Sequence, residues 1–283
     1  MALALDRMTQ DKDAPEPGND PAGPDDNAGE EQQATAGAQP SEPEEPAVQG
    51  DEGEIPGDPE TPVPSPDEIH EAMQWGFKGE EIEPELVERF AQHAQLVLET
   101  NRQINLTAIT DPKEMAVKHY LDSWRVTRMM SLFGRTVLDL GTGAGFPGIP
   151  VAMAEPEARF TLCDATKKRV DFVERSIETL KVKNATAVWS RAEDHMARQS
   201  YDVVLARAVS SVRENVRTLR KVRHSLKDYV MLKGASWSRE VRAGEREAER
   251  LGFKLETVWE HELPEGMGKR AILIYRAPGA QGT

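Results

Sequence analysis

From residue 67 onward the apolar positions fall into two regimes. Between 84 and 101 they recur at helical spacing, with Leu86, Val87, Phe90, Ala94, Val97 and Leu98 forming one stripe. Residues 67–76 predict a shorter helix, with Asp67 as N-cap behind Pro66. The pair Asp111 and Pro112 predicts another, because Asp caps well and proline suits the first helical position. Its apolar face is Val117, Tyr120, Leu121 and Trp124. From Thr136 the pattern becomes strand–helix alternation. Strands are predicted over 136–140, 159–164, 186–190, 201–207, 229–233, 254–260 and 270–276, and helices over 147–154, 167–180, 211–226 and 236–251. The runs 137–140 and 202–206 are apolar on both strand faces, as in a sheet covered on both sides. The alternation predicts a doubly wound, seven-stranded α/β sheet with its ligand site at the carboxyl ends of the strands. Residues 261–269 carry no helical pattern, so the last two strands are expected to pair antiparallel.

Composition divides the chain further. The net charge of −14 is not spread over the 283 residues: residues 1–66 hold 17 acidic and two basic side chains, 12 of the 19 prolines and no aromatic ring. What remains has 33 basic and 32 acidic residues. Residues 1–66 therefore read as a disordered acidic tail, with too few apolar groups to offset the entropy of ordering. Residues 67–134 read as a helical subdomain, 135–277 as the α/β domain and 278–283 as a short C-terminal tail. The single cysteine, Cys163, rules out an internal disulfide and a Cys-based zinc cluster, and fits a reducing compartment. No apolar run approaches the ~20 residues of a spanning helix, and the first residues lack the basic region of a signal peptide. A cytoplasmic monomer without a bound metal is expected.

Candidate chemistry sits at the first predicted strand. Gly141, Gly143 and Gly145 follow it directly. A dinucleotide fingerprint counted from Gly141 would need glycine where Phe146 stands; counted from Gly143 it is met, with Gly148, but lies too far from the strand. An acid two residues before the first glycine, Asp139, is instead the S-adenosylmethionine type. A bare strand–helix turn would use the same glycines. Asp164 ends the second strand, 23 residues after Gly141, where a carboxylate can accept both ribose hydroxyls of an adenosyl group or can cap the next helix. Ala192 and Glu193 follow the third strand, on the adenine side. Arg207 ends the fourth, facing the methyl-transfer end. The Asn/Asp-Pro-Pro-Tyr/Phe turn of amino-methyltransferases is replaced by residues 206–209, Ala-Arg-Ala-Val. Cytosine C5 chemistry needs a cysteine nucleophile near that turn, and Cys163 lies on the second strand instead. Guanine N7 needs neither covalent catalysis nor a strong base, only alignment.

Three stretches carry a family resemblance: residues 105–123 (Asn-Leu-Thr…His…Leu-Asp-Ser), residues 139–150, and the set Asp164, Lys168, Arg169, 191–193, 206–208 and 232–234. Over roughly residues 84–276 the chain resembles the glucose-inhibited division protein B family of 16S rRNA guanine-N7 methyltransferases. The resemblance implies S-adenosylmethionine as cofactor, the small ribosomal subunit or its rRNA as partner, and the Rossmann-like methyltransferase fold. It implies cofactor contacts from Gly141, Phe146, Ala192, Glu193 and Arg207. It places His119, Asp122 and Lys233 along the same cleft, with His119 and Lys233 joining Arg207 as catalytic candidates. Glu99 and Thr100 depart from the family's Lys-Trp, and 165–168 from its Ser-Leu-Gly-Lys. A small-molecule methyltransferase or a non-catalytic assembly factor would use the same fold. For RNA, the best basic candidate is the set Arg213, Arg217, Arg220, Lys221, Arg223 and His224, of which all but Arg223 share one broad face at helical spacing, and Lys167, Lys168 and Arg169 add charge near Asp164.

Overall fold

A computed structural model describes residues 57–281, so most of the acidic tail lies outside the described residues. Ser65, not Asp67, opens the first helix, α1 (Pro66–Gly76). The Ser65 hydroxyl accepts from the Glu68 amide at 3.3 Å, and the Glu68 carboxylate accepts from the Ser65 amide at 2.8 Å. Proline takes the first helical position, so the cap lies two residues before Asp67, and Glu68, three residues after Ser65, closes the reciprocal pair. Just before it, Arg102 Nε donates to the Pro59 carbonyl at 2.9 Å and Val63 packs against the core.

The stripe expected over 84–101 becomes α2 (Pro84–Asn101). As expected, Asp111 caps the next segment, accepting from the Glu114 amide at 2.9 Å. That segment runs as α3 (Pro112–Met115), a π-helical stretch Ala116–Leu121, α4 (Asp122–Trp124) and α5 (Val126–Met129). Between Met115 and Val126 only Lys118 and Arg125 are not buried. The segment is packed nearly all round, so its polar His119, Asp122 and Ser123 are buried and take partners within the protein.

The sheet follows as β1 (Thr136–Leu140), α6 (Gly148–Ala154), β2 (Arg159–Asp164), α7 (Lys167–Thr179), β3 (Ala185–Trp189), α8 (Ala192–Met196), β4 (Tyr201–Arg207), α9 (Val212–Thr218), β5 (Leu226–Lys233), α10 (Trp237–Arg250), β6 (Lys254–Glu262) and β7 (Lys269–Arg276). The strand order is β3-β2-β1-β4-β5-β7-β6. The pairings among β1 to β5 are parallel, and β7 runs antiparallel to both β5 and β6. This is the seven-stranded Rossmann-like fold of S-adenosylmethionine-dependent methyltransferases. Its topological switch lies between β1 and β4, where the loops after both strands meet.

One expected element is corrected. The helix over 211–226 stops at Thr218, continues as a single 3-10 turn over Leu219–Lys221, and gives way to β5 at Leu226. Leu219, Val222 and Leu226 are all buried, so the same apolar positions suit a helix or a turn into a strand. The pairing of Leu226 with Tyr201 on β4 decides for the strand. Arg220, Lys221 and His224 therefore do not extend the face of Arg213 and Arg217.

One core cluster fills the sheet face covered by α6 and α7, and the N-terminal helices share it: Phe90 and Tyr120 pack with Phe146, Leu162, Phe172 and Leu205. A second cluster lies on the opposite face, with Val212 and Val216 of α9 and Ala248 of α10 against Leu138, Val204 and Tyr229. Among the described residues no helix is long and apolar enough to cross a membrane.

Candidate active site

The loop after β1 is shaped by glycines in the left-handed region, with φ of 70° at Gly141, 58° at Gly143 and 94° at Gly145. Phe146 and Pro147 are joined by a cis peptide bond. Gly148 is required by close approach: a Cβ there would lie 2.1 Å from Leu162 Cδ2 and 2.5 Å from Asp139 Oδ2. Asp139 is fully buried and staples the loop. Its Oδ2 accepts from the Thr142 hydroxyl at 2.5 Å and from the Gly148 amide at 2.9 Å. Burial pushes its carboxyl up to about 6, against the pull of those two bonds. The acid that marked the loop type in the sequence thus acts on the loop itself.

Asp164, at the end of β2, is 6% exposed. Its Oδ2 accepts from the Gly143 amide at 3.0 Å and its Oδ1 from the Thr166 amide at 2.8 Å. Carboxylate oxygens each hold a second lone pair, so ribose hydroxyls can still be accepted. A Cβ on Gly143 would meet no atom within 4 Å, which leaves open space beside that carboxylate. Buried Ala192 and half-buried Glu193 open α8 on the next loop. An acceptor pair, a glycine-lined turn and open space fit an adenosyl cofactor. Cys163 stays in the core, donating to the Ser190 carbonyl at 3.1 Å, its thiol pushed up to about 12 by burial and nearby carboxylates.

Arg207, His119 and Phe146 come together at the end of β4. Arg207 Nη1 donates to the Lys118 carbonyl at 2.8 Å and Nη2 to His119 Nδ1 at 2.9 Å. A guanidinium only donates, so Nδ1 is the unprotonated nitrogen. His119 Nε2–H then donates to Thr107 Oγ1 at 2.8 Å. Burial first, then the charge of Arg207, holds the imidazole well below its usual range, so it is neutral. The His119 ring stacks on Phe146 at 4.6 Å, and the Arg207 guanidinium lies 5.2 Å from the same ring. Tyr120 meets Phe146 edge-on at 5.0 Å, and His93 lies behind at 5.4 Å. Arg207 Nε is buried without a protein partner.

Lys233, the last residue of β5, is 8% exposed and bonds elsewhere. Its ammonium pairs with Glu240 at 2.9 Å and donates to the Ser210 carbonyl. It thereby braces the loop after β4, in which Ala208 holds a left-handed φ of 53°. Asp122 turns to His261 on β6, 3.3 Å away. Sequence reasoning missed Thr107 as the partner of His119, although it belongs to the Asn-Leu-Thr stretch. It also missed Asn101, whose side chain accepts from the Leu106 and Thr107 amides at 2.7 and 2.9 Å and so sets that stretch in place. Only the polar residues clustered ahead of Asp111 hinted at such a loop.

Comparison with known proteins gives the same answer. Residues 86–266 match the GidB family, described as rRNA small subunit methyltransferase G. A ribosomal RNA small subunit methyltransferase G from Carboxydothermus hydrogenoformans is 34% identical over 202 residues, covering 70% of this chain and 86% of the relative. The Bacillus subtilis relative of the same name is 34% identical over 206 residues, covering 70% and 85%. That from Alteromonas mediterranea is 40% identical over 171 residues, covering 59% and 79%. With the family model matched over 181 residues and relatives aligned over most of their own length, the chain belongs to the GidB family of S-adenosylmethionine-dependent small-subunit rRNA methyltransferases.

Proposed function

We propose that this protein methylates N7 of a guanine in 16S rRNA. The observation that carries the choice of N7 is the state of His119. Both of its ring nitrogens are engaged and the ring is neutral, so the histidine beside the switch point positions rather than takes a proton. Attack by N7 needs no base, because its lone pair is free at neutral pH. When bound, S-adenosylmethionine supplies an electrophilic methyl on a positively charged sulfur. Transfer of that methyl to N7 would leave the electron pair on sulfur and would ask no residue of this chain to move a proton.

In this reading Gly141, Gly143 and Gly145 cradle the cofactor, Asp164 accepts the ribose hydroxyls, and Ala192 and Glu193 border the adenine beside Phe146's loop. Arg207 lines the methyl-transfer end, with an unspent Nε–H. His119 and Lys233 are positioning residues, the first for Arg207 and the second for the Ala208–Ser210 loop. The protein acts in the cytoplasm as a monomer. The outer edge of the sheet supports the single copy: β6 presents Lys254, Glu256, Glu260 and Glu262, charges that discourage edge-to-edge pairing.

The test is mass-spectrometric mapping of methylguanine in 16S rRNA from cells with and without the protein, together with transfer of labelled methyl from the cofactor to isolated small subunits. Loss of one N7-methylguanine without the protein, restored by adding it, is expected. Cofactor binding without any label transfer would leave only an assembly role.

A further inference from the structure

Trp189 is left over by this account. It ends the edge strand β3, pairs with Asp164 across the β2–β3 ladder, and is 61% exposed. Its indole N–H donates to the Ala165 carbonyl at 2.9 Å. The ring's one polar atom is therefore spent within the chain, and the bond pins the ring against the turn that follows Asp164. A large apolar face is left in water in a fixed orientation, where burial would ordinarily be favoured. Close in the chain to Ala165 and Trp189, exposed Lys167 and Lys168 open α7 just after Asp164, and exposed Arg191 caps α8 just before Glu193; Lys167 also pairs with Asp171. An aromatic face set among cations is the chemistry of a base-stacking platform beside a phosphate backbone.

We infer that Trp189 stacks on a nucleobase of the substrate rRNA away from the target guanine. The inference rests on the family's rRNA substrate and adds where the RNA touches this chain. Strand β3 lies three strand spacings from β4, about 14 Å across the sheet at the usual separation. An RNA chain covers that distance in a few nucleotides, so one strand can reach from Arg207 to Trp189. Phe133 is also exposed, at 73%, but it precedes β1, at the opposite end of the strands from Arg207 and Trp189, and serves as a control.

The experiment uses the full chain with W189A, W189F and F133A. Anisotropy with a labelled 16S rRNA transcript reads binding without turnover. Label transfer to unmethylated small subunits gives kcat and KM, and calorimetry gives the affinity for S-adenosylmethionine. W189A is expected to weaken transcript binding and raise the subunit KM about five- to a hundred-fold, the range for one lost base stack. The cofactor affinity should not change. W189F should recover most of the loss, and F133A should match the parent. RNA binding and KM unchanged in W189A would overturn the inference. So would a loss confined to cofactor affinity, which would make the indole a cover for the adenine. Should the parent chain bind the transcript yet transfer no methyl, the catalytic reading fails while the stacking result still stands on binding alone.

Discussion

Asp164 spends one lone pair of each carboxylate oxygen on a backbone amide, so it shapes the turn and offers the rest to a ligand. Replacing it by Ala removes charge-assisted acceptors worth about 1.5–3 kcal/mol. Affinity for S-adenosylmethionine should fall roughly 10–100-fold by calorimetry. An unchanged affinity would reduce Asp164 to a turn residue. His119 leads to a different expectation. Because its lone pair is given to Arg207 and its pKa lies well below the usual value, the kcat profile should be flat between about pH 6 and 8. His119→Ala should lower kcat by the same factor at both ends of that range. A loss that grows with pH would instead identify a base. His93 makes stability depend on pH. Burial depresses its pKa from 6.5 to about 3. Its contribution is therefore fully present above the unfolded value and is lost as pH falls from 6.5 towards 3, by about 1.4 kcal/mol per pH unit. Urea melts at pH 7 and 5.5 should show the parent losing about 1 kcal/mol more than His93→Leu.

At the scale of elements, the caps differ in how legible they were. Asp111 with Pro112 read correctly because the acid directly precedes the proline. At Pro66 the serine before it and the acid after it competed, and Ser65 won because Glu68 could return the bond. Ser65→Ala should cost about 1 kcal/mol and lower the melting temperature by roughly 2–4 °C. Calorimetric melting checks this. The segment over 211–226 failed for another reason. Helical period and strand entry bury the same Leu219, Val222 and Leu226, and only the long-range pairing of Leu226 with Tyr201 separates them. Local pattern carries no information about that partner. The π-helical stretch was equally silent: Val117, Tyr120 and Leu121 read as one α-helical face, and the wider turn through His119 left no periodic trace.

Across the whole molecule, the parts of the site that were legible are those tied to strand ends. Gly141, Asp164, Glu193 and Arg207 each follow or end a strand whose apolar run announced it, so parallel order alone brings them to one edge. Thr107 and Asn101 act through an irregular loop held by side-chain bonds, which has no period to read. The amino-terminal boundary gives a further test. A chain starting at Gly57 should melt with the full-length protein, since it keeps Val63, Ser65 and the Pro59 carbonyl. One starting at Asp67 loses all three and should melt several degrees lower. Equal melting of the two would mean that residues 57–65 contribute nothing to the fold.

The placement of β7 between β5 and β6 bears on how such a chain is made. Strands emerge from a ribosome in order, yet this sheet cannot close in order. When β6 has been synthesised, its neighbour in the finished sheet has not. Until Lys269–Arg276 arrives, β5 presents an open row of amides and carbonyls, and Asp122 and Arg125 hold a hairpin of which only the first arm exists. The nascent protein therefore stays incomplete until translation of its last strand, and products broken off before residue 269 carry an unpaired edge suited to aggregation.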